Sequence, residues 1–292
     1  MPRPRPLDFF KQSLKTDAYV ADEIINTYLL RPIAAGIVWL LYPASVTPNQ
    51  VTIVAILVGL ASACEYLLGS PAAIAFAGVL IVLKDILDDA DGQLARAKEM
   101  YSRRGRFLDS IGDFLVDGAV FAAITHAVYR THSNAMTIVL GALSLLGITL
   151  RVSYHVYYQA SFLHLEGRYK LNRMTEEIRE EDLRGDRVTL RLQQIFLVIY
   201  GWQDRLMERI DRWCMGPDFD DAHFPVWYSD RFGLRLSGFL GFGTELTLLG
   251  ICSWINALDA YLLINVFVMN GIWAANVMYR RLVLSPNLPR RR

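Results

Sequence analysis

Apolar residues in this chain come in long blocks, and the polar residues gather between them. The first block is entered through Thr47-Pro48-Asn49-Gln50-Val51-Thr52 and runs to Leu68. Thr47 suits a helix N-cap and Pro48 the first helical turn. About 20 residues at ~1.5 Å each suffice to cross a hydrocarbon core of ~30 Å. Segments of comparable length follow at Pro71 to Leu87, Phe107 to Tyr129, Ala135 to about Tyr158, Leu236 to Leu258 and Ala260 to Tyr279. The pattern therefore predicts six transmembrane helices. Asp22 to Pro43 is apolar only in its second half, carries Asp22, Glu23 and Arg31 and is broken by Pro32; an interfacial helix is expected there. From Ser161 to Arg235 the pattern changes. NRMTEEIREEDLRGDR reads as a solvated helix with Glu and Arg at helical spacings. LQQIFLVIYGWQDRLMERIDRW has an apolar centre too short to span and is expected against the cytoplasmic membrane face. GPDFDDAHFPVWYSDRFG reads as loop, with Asp218, Asp220 and Asp221 in a solvated turn rather than a cation site. No internal repeat at a fixed period is visible.

The expected fold is thus an all-α polytopic membrane protein, divided into an N-terminal cytoplasmic and interfacial segment (1–46), four spans (47–160), a cytoplasmic or interfacial helical insert (161–235), two spans (236–281) and a basic tail (282–292). Composition agrees: 53% of the 292 residues are hydrophobic and 20% charged, too apolar for an average soluble domain and too charged to be membrane throughout. Lys plus Arg (30) nearly balance Asp plus Glu (29), so no nucleic-acid partner is expected, and the placement of charge matters more than its sum. Arg3, Arg5, Lys11 and Lys15, then Arg96, Lys98, Arg103, Arg104 and Arg106, then the insert, and finally Arg280, Arg281 and Arg290 to Arg292 fall in one set of connections. The other set is short: Gly69-Ser70-Pro71, the stretch from Arg130 to Asn134, and Ala257 to Ala260. Cytoplasmic loops retain Lys and Arg, which puts both termini in the cytoplasm. The basic N-terminus is not followed by a short apolar run with a small-residue cleavage site, so no cleaved signal peptide is expected. Cys64, Cys214 and Cys252 lack metal-ligand spacing and read as buried reduced thiols.

One polar junction carries candidate chemistry. Between Lys84 and Gly118 stand Asp88, Asp91, Gly92, Ala95, Arg96, Gly105, Asp109 and Asp113. On one helix Asp88 and Asp91 share a face, and so do Asp88 and Lys84; on the next, Asp109 and Asp113 are four apart. The short link Glu99 to Gly105 brings these faces together as an antiparallel pair. Four converging carboxylates stay ionised only with strong cationic compensation, and hard oxygen ligands suit Mg²⁺ or Mn²⁺ with positions left for phosphate oxygens. Two such ions would polarise a phosphoryl centre. Gly92, Ala95 and Gly105 leave room for a bulky ligand, and Arg96 offers a fork of donors to phosphate. The competing explanation is structural, with the carboxylates acting as boundary anchors ion-paired to Lys84 or Arg106. Glu245 and Asp117 lie inside spans, where charges face a cavity or a partner. Asn265, Asn270 and Asn276 read as interhelical hydrogen-bonding residues, His126 and His155 as packing residues, and Glu65 as a boundary residue.

The spacing DxxDGxxARx8Gx3Dx3D resembles the signature of the CDP-alcohol phosphotransferases at all eight positions, and Thr47 to Thr52 resembles the start of that family's first span. The resemblance covers about residues 20–160 and, more loosely, the last two spans. It implies a membrane enzyme that moves a substituted phosphate from a CDP-linked alcohol to a second alcohol, releasing CMP, in phospholipid biosynthesis. It further implies that Asp88, Asp91, Asp109 and Asp113 hold two Mg²⁺ or Mn²⁺ ions per site and that Asp113 serves as general base. Gly92, Ala95, Arg96, Gly105 and Asn49 would shape the nucleotide pocket, and a homodimer is expected. CDP-diacylglycerol is the expected donor; the alternative is a CDP-activated polar alcohol with a lipid acceptor. For the acceptor, Asp117, Arg151 and Tyr154 are the candidates. Members using a phosphorylated acceptor carry basic residues just past a Ser-Tyr pair, where this sequence has Val156, Tyr157 and Tyr158, which argues against such an acceptor. Those tyrosines suit either an aromatic box for a quaternary ammonium or an interfacial aromatic belt. A divalent-cation transporter would spread polar residues through the bilayer depth, whereas here they cluster at one face; a scaffold would need no carboxylate cluster.

Overall fold

A computed structural model describes residues 20–167 and 176–288. The basic residues Arg3, Arg5, Lys11, Lys15 and Arg290 to Arg292, and the start of the charge-rich stretch at Asn172, lie outside the described residues. Within them the chain is helical with no strand. The helices are α1 (Arg31–Leu41), α2 (Pro48–Leu68), α3 (Pro71–Ala97), α4 (Arg103–His132), α5 (Ala135–Leu165), the single turn α6 (Glu180–Leu183), α7 (Arg187–Met215), α8 (Phe224–Tyr228), α9 (Arg231–Ser237), α10 (Phe242–Trp254), α11 (Leu258–Leu263) and α12 (Asn270–Tyr279).

Each long helix begins on a cap that the sequence supplies. Gln50 accepts the Thr47 backbone N–H at 2.9 Å, with Pro48 in the first turn. Ser70, Ser102, Asn134 and Asp186 accept from first-turn amides at the starts of α3, α4, α5 and α7, satisfying donors that a helix leaves open. The tight reversals end in left-handed residues: Gly69 (φ 70°), Ser133 (φ 47°) and Asn256 (φ 54°). Only glycine takes that conformation without steric cost. His132 Nε2 stands 4.0 Å from Asp259 Oδ2, so the α4–α5 and α10–α11 reversals lie together at one end.

The core sits where α2, α3, α4 and α10 meet, built on Tyr66, Ile81, Val116, Phe121, Ile124, Leu249 and Tyr261. Gly78 and Gly250 let α3 and α10 approach backbone to backbone; a Cβ on Gly78 would stand 3.0 Å from the Gly250 carbonyl. Four helical stretches are long and apolar enough to cross a membrane: Pro48–Leu68, Ala135–Leu165, Arg231–Trp254 and Leu258–Asn287. They make this an integral membrane protein. Helices α3 and α4 carry more charge and are packed at the centre of the bundle, α3 against α1, α2 and α10.

Several expected boundaries move. The fourth apolar segment continues to Leu165, two turns beyond Tyr158. The fifth is not one straight helix from Leu236: α9 ends at Ser237, the chain bends through Gly238 to Gly241, and α10 starts at Phe242. The reason is Glu23, which packs against Gly241 and accepts the Gly243 amide at 2.8 Å, capping α10 from the far end of the sequence. Helix α1 buries Ala34 and Val38 against Val51, Ile86, Ala90 and Leu94 and exposes Ile33 and Leu40. Its neighbour Asp22 accepts from Arg31 (2.7 Å) and from Gln159 on α5 (2.8 Å). In the charge-rich stretch, Glu176 and Asp182 are buried rather than solvated, because Arg103 and Arg106 of α4 reach them. Helix α7 lies along α4 and α5, with Phe196 against Phe107 (5.3 Å between centroids), while Ile195, Val198 and Trp202 face outward. Cys64 is exposed on α2, contrary to expectation, since its face of that helix is not covered by the described residues; Cys214 and Cys252 are buried.

Candidate functional site

The site forms where α3 ends and α4 begins. Helix α3 continues without a break through the charged motif to Ala97, and the link to α4 is held down by Lys98, whose ammonium donates to the carbonyls of Ala44 and Val46, both at 2.7 Å. Ser102 then accepts the Gly105 amide at 2.9 Å and restarts the helix in the antiparallel direction. The i,i+3 and i,i+4 faces of the two helices meet as the sequence spacing requires. Asp88, Asp91 and Asp109 each present a carboxylate oxygen, and the three oxygens lie within 4.8 Å of one another. Thr52 of α2, itself bonded to the Pro48 carbonyl at 3.2 Å, donates to Asp91. Asp109 Oδ1 is buried with no hydrogen-bond partner among the described residues.

Asp113 stands slightly apart from this triad. It accepts a hydrogen bond from the ammonium of Lys84, which also lies 3.7 Å from Asp88 Oδ1. The ion pair expected as the structural alternative is therefore present for Lys84; Arg106 pairs instead with Glu176.

Two cavities reach the motif carboxylates, one at Asp91 and Asp109 and the other at Asp113. The first, of about 380 Å³, is lined by Asn49, Asp91, Gly92, Ala95, Gly105 and Asp109, among others. A Cβ on Gly105 would stand 2.7 Å from Asn49 Oδ1, so α2 and α4 close on each other only with glycine there. Arg96 is not on the wall itself, but its Nη1 would lie 3.7 Å from a Cβ on Gly92 at the cavity edge. The second cavity, of about 770 Å³, reaches Asp113 and Ser110 from the other side and is walled by α5 and by Phe196, Tyr200, Asp204 and Glu208 of α7. Tyr200 is fixed by donating to the Ser110 carbonyl at 2.7 Å. Burial raises the Asp204 carboxyl to about 6, with the Arg205 and Arg106 charges opposing the rise and Glu176 adding to it. No Lys or Arg is among the described residues lining this cavity.

None of the three residues expected at the acceptor is among the described residues lining either cavity. Arg151 is fully buried in the bundle, donating to Glu245 (2.9 Å), to Asn270 Oδ1 (2.6 Å) and to the Asn265 carbonyl (3.1 Å). Glu245 also accepts from Tyr261 at 3.1 Å and from Asn265. A charge at this depth is held by partners, which removes Arg151 from the cavity wall. Tyr154 is buried and packs on Tyr158 and Trp273, and Asp117 is buried without lining either cavity. Of the tyrosines, Tyr158 is buried against Tyr154, while Tyr157 lines the second cavity. Tyr157, Tyr158, Tyr228 and the Trp227 indole all donate to Asp211 (2.6–3.1 Å), and the guanidinium of Arg280 already sits 3.6 Å over the Tyr158 ring. His155 is buried, its Nδ1 3.4 Å from the Ser237 hydroxyl, as a packing residue would be. Thr52, Tyr200 and Asp204 escape sequence reading because each comes from outside the motif. Lys84 carried a signal, its position one turn before Asp88.

A helical bundle with a triad of carboxylates beside a cavity at the ends of two central helices defines an integral membrane protein with an oxygen site for a hard cation. Residues 45–203 match the family model of the CDP-alcohol phosphatidyltransferases, and the chain belongs to that family. It is 38% identical over 133 residues to the bifunctional IPC transferase and DIPP synthase of Thermococcus kodakarensis, covering 46% of this chain and 29% of that protein. It is 38% identical over 79 residues to the archaetidylinositol phosphate synthase of Pyrococcus horikoshii, covering 27% of this chain and 40% of that one. The chain thus spans well under half the length of these relatives. Members of the family use divalent metals, and the donor set fits one: the oxygens are hard, they converge, and the buried Asp109 Oδ1 lacks any other partner.

Proposed function

We propose that this chain transfers a substituted phosphate from a CDP-linked alcohol to the hydroxyl of a second alcohol and releases CMP, with CDP-diacylglycerol as donor. The observation that carries this reading is the carboxylate cluster, reached by one cavity at Asp91 and Asp109 and by another at the neighbouring Asp113. Asp88, Asp91 and Asp109 would hold the divalent metal, Mg²⁺ or Mn²⁺, which supplies charge neutralisation at the diphosphate when bound. Asn49, Gly92, Ala95 and Gly105 shape the first cavity for the nucleotide, and Arg96 at its edge reaches phosphate. Asp113, on the second cavity, takes the proton of the acceptor hydroxyl as that oxygen attacks the phosphorus and the bond to CMP breaks. Lys84 orients Asp113 through its hydrogen bond.

The second cavity takes the acceptor. Its described walls are aromatic and acidic, which suits an unphosphorylated alcohol and disfavours an added phosphate by like-charge repulsion. Helix α7 gives the 161–235 insert a role as one wall of that cavity. Six crossings, adding α3 and α4 to the four most apolar stretches, place the site and both termini on the cytoplasmic side, which the distribution of Lys and Arg supports. Helix α1 lies in the interface, and the exposed apolar faces of α2 and α5 suit lipid or a second copy in a homodimer.

The test is CMP release by the detergent-purified protein supplied with CDP-diacylglycerol and Mg²⁺ or Mn²⁺, across a panel of alcohols. Release with an unphosphorylated acceptor is expected. No CMP with any acceptor, and none from a CDP-linked small alcohol with a lipid acceptor, would remove the assignment.

A further inference from the structure

Four motif carboxylates invite the expectation of two metal ions, but one of the two positions already has a cation built from the chain. Lys84 is 1% exposed. Its ammonium donates to Asp113 Oδ1 and lies 3.7 Å from Asp88 Oδ1, and so stands between two of the four motif carboxylates. The three oxygens that converge closely enough for one ion belong to Asp88, Asp91 and Asp109 and exclude Asp113.

The side chain is closely packed along its stem. Gly59 of α2 leaves space for its stem, so closely that a Cβ there would stand 3.2 Å from Lys84 Cγ, and Val116 of α4 lies against the same position. The Phe242 ring lies 5.9 Å beyond the ammonium. An ammonium withdrawn from these carboxylates would give up its hydrogen bond to Asp113 while still buried, a loss that nothing from solvent repays. A divalent ion placed within hydrogen-bonding distance of it would be repelled at short range.

We propose that Lys84 is a resident cation that takes the place of the second metal, leaving a mononuclear site at Asp88, Asp91 and Asp109. The inference rests on the metal reading above. In the transfer step Lys84 neutralises Asp113 electrostatically and holds the carboxylate at the acceptor cavity, a task that a bridging ion would otherwise perform.

The experiment is Mn²⁺ binding to the full chain in detergent, with stoichiometry from equilibrium dialysis and nuclearity from electron paramagnetic resonance. Wild type should bind one tight Mn²⁺ per chain and give the six-line signal of an isolated ion. Lys84→Met, which keeps the stem and removes the charge, should bind two and show exchange-coupled lines; Lys84→Arg should remain at one. Two tight, coupled ions in wild type, or a single ion in a folded Lys84→Met, would overturn the proposal while leaving the transferase reading intact. Should Lys84→Met fail to fold, the wild-type count and line shape decide the matter. No Mn²⁺ bound by wild type, together with CMP release that needs no metal, would instead sink the metal reading on which the inference stands.

Discussion

A carboxylate's role here depends on what touches it. Asp109 has a buried oxygen with nothing to accept from, Asp91 is held by the Thr52 hydroxyl, and Asp113 is held by Lys84 and faces the second cavity. Asp113→Asn keeps the shape and removes the base, so CMP release should fall by roughly 10²- to 10⁴-fold while nucleotide binding, read by calorimetry with CMP, stays close to wild type. Retained turnover would take Asp113 out of that role. At Glu245 the expectation concerns stability. Glu245→Ala strands the Arg151 guanidinium, which is fully buried, and breaking a buried pair from one side costs about 3–5 kcal/mol; loss of the folded fraction in detergent would register it. Asp204 has a folded pKa of about 6 against an ordinary 3.8. A raised carboxyl stabilises the fold most below its unfolded value, and that contribution is lost as pH rises through about 6. Asp204→Asn should therefore flatten the decline in melting temperature between pH 4 and 7; an unchanged slope would contradict this.

At the scale of elements, the insert is fastened to the catalytic helices by a polar clasp. Glu176 accepts from Arg103, Arg106 and Gln193 (3.0 Å), and Asp182 accepts from Arg103. Because α7 forms one wall of the second cavity, Glu176→Ala should raise KM for the acceptor several-fold with little change in KM for the CDP donor, as steady-state kinetics would measure. A shift in donor KM alone would place the clasp on the other side of the reaction. The α3–α10 contact makes a separate demand: a Cβ on Gly78 meets Ser253 Cβ at 2.6 Å and the Gly250 carbonyl at 3.0 Å. Gly78→Leu should thus lower stability by at least the ~1–3 kcal/mol typical of overpacking. Motif spacing revealed which faces of α3 and α4 meet, since i,i+3 and i,i+4 geometry is local. It did not reveal the bend at Gly238 to Gly241, because the group that caps α10 is Glu23, more than two hundred residues away in sequence.

For the molecule as a whole, the polar site lies opposite the end where the α4–α5 and α10–α11 reversals meet through His132 and Asp259. Six crossings predict that single cysteines at Ser70, Asn134 and Asn256, in a chain lacking Cys64, Cys214 and Cys252, react with impermeant reagent from outside intact cells. Cysteines at Tyr101 and Asp218 should react only after permeabilisation. The opposite pattern at Tyr101 would move the site to the other face of the membrane.

Sequence by itself determined what local spacing and solvent preference determine: apolar blocks of membrane length, a helix start at Thr47, and one shared face for Asp88 and Asp91 and another for Asp109 and Asp113. Tertiary structure decided what depends on residues distant in the chain. It gave Asp113 to Lys84, buried Arg151 with Glu245, filled the slot over Tyr158 with Arg280, and brought α7 to the second cavity. The physical reason is the same in each case. A buried charge must find its partner wherever packing brings one, and spacing along the chain does not say which element that will be.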